Sequence, residues 1–132
     1  MILRLLVAVA IVAAVTLAYV LWRRPPRRLT RRTLATLGVR GPTVVEFVTE
    51  GCPPCRAVAP RLRSAAERAR VPFLQIDVGV KPEVARAYGI RSVPTVAVTG
   101  AGGRVLDVWT AIPLDGEVAE AARRARVNNA RT

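Results

Sequence analysis

The only two cysteines of this 132-residue chain lie in the run Cys52-Pro53-Pro54-Cys55. A pair at that spacing can close and reopen a disulfide by thiol–disulfide exchange. A thiolate at a helix N-terminus meets the positive end of the helix dipole and free backbone N–H groups, which can lower its pKa to ~3.5–7.5. Cys52 occupies that place and is the candidate nucleophile. Cys55, inside the first turn, is placed to resolve a mixed disulfide formed at Cys52. Pro53 and Pro54 have no N–H, so the Cys52 sulfur can draw only on donors from Cys55 onward. Both prolines also preset the first helical turn, and Arg56 adds positive charge nearby. The competing uses of such a pair are a passive structural disulfide or half of an intermolecular metal site. Copper(I) is the metal whose softness fits two thiolates.

The remaining composition narrows the chemistry. There are 21 basic and 9 acidic residues, a net charge of +12, and no histidine. Histidine-based general acid–base catalysis, Ser-His-Asp triads and histidine-ligated metals are thereby excluded. Two cysteines cannot build a disulfide scaffold or fill a four-ligand zinc site within one chain. The acid best placed to move a proton is Glu46, inside the apolar run Val44-Val45-Glu46-Phe47-Val48. If buried there, its pKa rises. The bland alternative is an outward-facing carboxylate on a solvated strand.

The elements that would hold these residues can be read from pattern. Thr43 to Thr49 is a strand whose near-continuous apolar character suggests burial on both faces. A helix from about Cys52 to Arg70 follows, with Val58, Leu62, Ala65, Ala66 and Ala69 on one face. Pro60 should kink it. Pro72 to Asp77 is the next strand, and Pro82 to Tyr88 a short helix closed by Gly89. Thr95 to Thr99 and Arg104 to Thr110 form a hairpin around Gly100-Ala101-Gly102-Gly103. A last helix is expected from about Leu114 to Val127. Leu114 opens its apolar face, Asp115 and Glu117 lie in its first turn, and Arg123, Arg124 and Arg126 in its last. The order implies an α/β domain with a mixed sheet and helices on both faces.

The N-terminal third is different. Leu5 to Trp22 is an 18-residue apolar run with one polar member, Thr16. As a helix it would span roughly 27 Å, close to a hydrocarbon core of about 30 Å. Tyr19 and Trp22 suit an interface at its end. Arg23, Arg24, Arg27, Arg28, Arg31 and Arg32 follow directly, a collar suited to anionic lipid. Residues 43–132 carry 13 basic and 9 acidic side chains, so much of the charge is this collar rather than a nucleic-acid face. A cleaved signal peptide is the rival reading, with a poor small-residue site at Thr16-Leu17-Ala18. The arginine bias favours the N-terminus outside and the C-terminal domain in the cytoplasm, with an extracytoplasmic domain as the alternative. The division is therefore 1–22 transmembrane anchor, 23–42 basic juxtamembrane linker and 43–132 folded domain.

Over roughly residues 43–127 the chain resembles the thioredoxin superfamily. Glu46-Phe47 stands where thioredoxins place a buried acid–Phe pair. Cys52-Pro53-Pro54-Cys55 has the common proline before the second cysteine. Pro60 matches the helix proline, Asp77 ends the second strand, and Tyr88-Gly89-Ile90-Arg91-Ser92-Val93-Pro94-Thr95 resembles the segment leading into the family's cis-proline. The resemblance implies a three-layer thioredoxin-like fold. It also implies a cis Pro94 beside the sulfurs, Val93 pairing its backbone with a docked partner chain, and Glu46 relaying protons to Cys55. Gly51, Pro53 and Pro54 would complete the partner-binding rim. Departures are equally specific. Gly51 replaces a tryptophan, Val48 a second tryptophan, Phe73 a lysine near the buried acid, and Ala111 a glycine of the substrate groove. The chain before residue 43 is short for the family's full first strand and helix.

The resulting expectation is a membrane-tethered thiol–disulfide oxidoreductase, favoured as a reductase. Its partners are protein disulfides or dithiols, an electron-donating reductase or thiol, and membrane lipid, without nucleic acid. The cysteine pair is itself the redox group, so no bound cofactor or metal is required. The alternatives are a thioredoxin-like binding module with little catalysis and a thiolate metal carrier.

Overall fold

The computed structural model describes residues 1–22, 29–30 and 32–132. Five of the six collar arginines, Arg23, Arg24, Arg27, Arg28 and Arg31, fall outside the described residues. The first helix, α1 (Ile2–Trp22), is long and apolar enough to cross a membrane by length and composition, and none of it is buried in the protein.

A four-stranded mixed sheet organises the rest, formed by β1 (Thr43–Val48), β2 (Phe73–Asp77), β3 (Thr95–Thr99) and β4 (Val105–Trp109). The strand order is β2-β1-β3-β4. β1 runs parallel to β2, with Glu46 opposite Gln75, and antiparallel to β3, with Glu46 opposite Val96. β1 is central and covered on both faces, as its apolar run implies. Its alternate residues feed two cores.

Val44 faces α2 (Pro53–Ala69) and α4 (Glu117–Ala130), joining Val58, Leu62, Val96, Val118 and the small alanines of both helices. Alanines here let the two helices approach the sheet and each other closely. Val45 and Phe47 face the other way, toward Val84 and Tyr88 of α3 (Pro82–Tyr88). Leu29, Leu34 and Val39, which precede β1 and lie in the stretch read as linker, are buried in this second core. The segment is tied down by backbone bonds from Leu34 N–H to the Gly103 carbonyl and from Val105 N–H to the Arg32 carbonyl. Gly103 permits this approach, because a Cβ there would stand 2.0 Å from the Val39 carbonyl oxygen.

The last helix differs from expectation by three residues at its start. It begins at Glu117, not Leu114, and runs to Ala130. The Leu114 N–H is taken by the Glu117 carboxylate at 2.8 Å, so the chain before Gly116 is a turn held from within the helix. Leu114 is therefore 74% exposed rather than part of the apolar face. Asp115 lies outside the helix and pairs with Arg61 of α2. Glu117 and Glu120 provide the acidic first turn, and the last turn holds no basic residue.

Candidate active site

Strand β1 ends at Val48 and the chain reaches α2 in four residues. Cys52 is the N-cap, with extended backbone angles (φ −93°, ψ 97°), and Pro53 and Pro54 fill the first two helical positions. Both prolines suit this place, since the N–H groups they lack would have no intrahelical acceptor. The first N–H of the helix therefore belongs to Cys55, and it donates to the Cys52 sulfur at 3.3 Å. This is the donor set anticipated from the two prolines.

Cys52 and Cys55 are joined in a disulfide, with Cα atoms 5.3 Å apart, within the range a disulfide can bridge. Their exposure differs. Cys52 keeps 9% of its surface, whereas Cys55 keeps 2% and lies on the buried side of α2. An incoming thiol would meet Cys52 first. Gly51, just before it, has φ +73° and open space where a Cβ would stand.

The Val93–Pro94 peptide bond is cis, the isomer expected from the segment around it. Pro94 is buried at the start of β3, next to β1 in the sheet. Thr95 donates its hydroxyl to the Ser92 carbonyl at 2.7 Å, holding the turn before the strand. Because β3 is antiparallel to β1, this turn and the end of β1 lie at the same end of the sheet.

Glu46 points to the face covered by α2, in line with Val44, and is completely buried. Its Oε2 accepts a hydrogen bond from Gln75 Nε2 at 2.8 Å. Its Oε1 has no hydrogen-bond partner among the described residues. Burial pushes the carboxyl above the ordinary glutamate value. The Gln75 hydrogen bond and the charge of Arg63 pull in the opposite direction, less strongly. The solvated-strand alternative for Glu46 does not apply.

Two residues near the acid escaped the sequence reading. Gln75 occupies the position opposite Glu46 on β2. Arg63, on α2, places its guanidinium 5.3 Å from the centre of the Phe73 ring. Alternation along β2 puts Gln75 on the same face as Phe73, and this was the available signal. Arg63 gave none, since a helical arginine reads as a solvated surface residue. Among the described residues no cluster of three or more His, Cys, Asp or Glu could hold a metal ion.

The fold and this dithiol agree with the similarities of the chain to known proteins. The thioredoxin family model matches residues 34–120. The thioredoxin of Pyropia yezoensis is 38% identical over 74 residues, covering 54% of this chain and 69% of that protein. Among solved structures, a mutant thioredoxin from Halobacterium salinarum NRC-1 superposes with a TM-score of 0.61 at 21% identity, covering 73% of this chain and 87% of that one. Thioredoxin from Fasciola hepatica gives 0.57 at 26% identity, with 70% and 88% covered. With its cysteine pair closed at the head of α2, the chain belongs to the thioredoxin family, the thiol–disulfide oxidoreductases.

Proposed function

We propose that this protein is a membrane-tethered reductase of protein disulfides, with Cys52 as nucleophile and Cys55 as resolving thiol. In the reduced protein, the Cys52 thiolate attacks a partner disulfide and forms a mixed disulfide while one partner sulfur leaves as a thiolate. Cys55 then gives its proton to the Glu46 carboxylate and attacks the Cys52 sulfur. The second partner sulfur leaves, the Cys52–Cys55 disulfide closes, and two electrons have passed to the partner. An external thiol or reductase must return them. The observation that carries these roles is the unequal exposure of the two cysteines, Cys52 keeping 9% of its surface and Cys55, on the buried side of α2, only 2%.

Val93 and Pro94 dock the partner chain through the Val93 backbone, in the manner of an added strand. Gly51, Pro53 and Pro54 form the rest of the contact rim. Helix α1 anchors the protein in lipid, with the arginine collar against anionic headgroups on the cytoplasmic side. Thiols are kept reduced in that compartment, which fits the reductive direction. Replacing Cys55 with serine removes the resolving thiol and leaves the attacking one. The Cys55→Ser protein should accumulate mixed disulfides with partner proteins, separable on non-reducing gels and released by reductant. Trapping by Cys52→Ser and not by Cys55→Ser would reverse the two roles.

A further inference from the structure

Glu46 is completely buried, and among the described residues its one hydrogen-bonded link toward the surface is Gln75. Above Glu46 lies α2, with Cys55 and the apolar Val58 and Leu62 on the covering face. On one flank is β3, whose register partner for Glu46 is Val96. The face of α4 toward the sheet is Val118 and alanines. On the other flank is β2, which among the described residues pairs only with β1 and stands at the edge of the sheet. There Gln75 is exposed to solvent at one end and bonded to the buried carboxylate at the other. A cleft of about 370 Å³ opens between α2 and β2, lined by Arg63, Phe73 and Gln75, with Glu67 at its wall.

We infer that this cleft at the β2 edge is the proton exit of the site, and that Gln75 and Arg63 are positioning residues that hold the Glu46 carboxyl to it. The inference rests on Glu46 being the proton carrier proposed above. The sheet order gives it a purpose. A partner docked on Val93 and Pro94 lies on the β3 side of β1, over the dithiol. The β2 edge is on the opposite side of β1 and stays open to water while the mixed disulfide exists.

Glu46 in its carboxylate form takes the Cys55 proton as the Cys55 sulfur attacks Cys52. The resulting carboxylic acid then loses that proton to water in the cleft, and the carboxylate is restored. Gln75 does not carry the proton, since its amide donates to Oε2 and keeps that oxygen turned to the edge. Arg63 is fixed beside the cleft by its stacking on Phe73. Its positive charge favours the ionised carboxyl, the form able to accept a proton. Among the described residues, the charged group acting on Glu46 from α2 is Arg63, with Cys55 on the buried side of the same helix and Glu67 at the cleft wall. The neutral Gln75 faces Glu46 from β2, and β3 and α4 contribute none.

The test is the pH profile of the resolving step in the full-length protein in detergent, followed by stopped-flow release of a thiol from a preformed mixed disulfide on Cys52. Glu46→Gln is the reference variant. Arg63→Gln and Gln75→Leu remove the charge and the tether. Arg63→Lys and Gln75→Asn are the conservative partners. Both disruptive variants should move the midpoint of the profile upward and slow resolution near neutral pH by about threefold to tenfold, and Arg63→Lys should restore most of it. If Glu46→Gln leaves the profile unchanged, the proton-carrier role of Glu46 falls, and this inference with it. If Glu46→Gln abolishes the midpoint while Arg63→Gln and Gln75→Leu leave it in place, the exit alone is overturned. A loss in Arg63→Gln that Arg63→Lys fails to restore also counts against it, since the charge would not be the cause.

Discussion

The Cys55 amide donates to the Cys52 sulfur across 3.3 Å, and it is the first N–H that α2 can offer. An N-cap side chain ordinarily faces the N–H groups of the second and third helical positions. Here the second is Pro54, so one of those two donors is missing. Pro54→Ala restores it without adding bulk. A hydrogen bond to a charged acceptor at this half-open position should stabilise the Cys52 thiolate by about 1 kcal/mol. The expected result is a roughly threefold to tenfold faster alkylation of Cys52 in the reduced protein near neutral pH. Unchanged alkylation would mean that the prolines do not limit the thiolate.

Gly51 stands where thioredoxins carry tryptophan, and the backbone explains why the swap is not free. Its φ of +73° belongs to the left-handed region, while the space around its missing Cβ is open. The penalty for any side chain is therefore conformational rather than steric. Gly51→Ala and Gly51→Trp should lose similar stability, about 1–2 kcal/mol, seen as matching drops in urea midpoint. A tryptophan variant as stable as the parent would show that the loop relaxes. Neither variant is expected to reproduce the family's usual surface, because the turn itself is built for glycine.

Most of the sheet and the dithiol were legible because short-range rules govern them. A continuous apolar run made β1 a buried central strand, and two prolines after Cys52 marked the head of a helix. Pro94 stood out through its neighbours. What stayed hidden depends on register and on distant segments. The Glu46–Gln75 bond joins residues 29 apart and exists only because β1 and β2 pair in one register. Leu29, Leu34 and Val39 follow no periodic pattern, yet they fill the core beneath β1 and β3. At Leu114 the apolar spacing pointed to a helical face, but the Glu117 cap holds that residue outside the helix.

The pH dependence of stability should carry the signature of Glu46. Burial raises its folded pKa above the ordinary value of 4.5. Between that value and the raised one, the folded protein holds more protons than the unfolded chain. Unfolding free energy then falls as pH rises through this window, and the deficit persists above it. Glu46→Gln keeps an acceptor for the Gln75 amide and removes the charge. In the oxidised protein the variant should show a higher urea midpoint than the parent at about pH 8 and little difference at about pH 4. Parallel curves at all pH values would refute the buried-carboxylate account.

Sidedness can be read from Cys52 itself, since it is the more exposed of the only two sulfurs in the chain. With six arginines between residues 23 and 32 and one, Arg4, before the apolar run, the basic flank should remain in the cytoplasm and carry the dithiol with it. An impermeant maleimide applied to intact cells after mild reduction should leave Cys52 unlabelled. Permeabilised cells should then label fully, and Cys52→Ser should remove most of the signal. Reversing the flank by charge, with Arg23, Arg24, Arg27 and Arg28 changed to glutamine, should let a fraction of the molecules label from outside. Labelling of the parent protein in intact cells would place the dithiol on the outer side and favour oxidation or disulfide exchange over reduction as its direction.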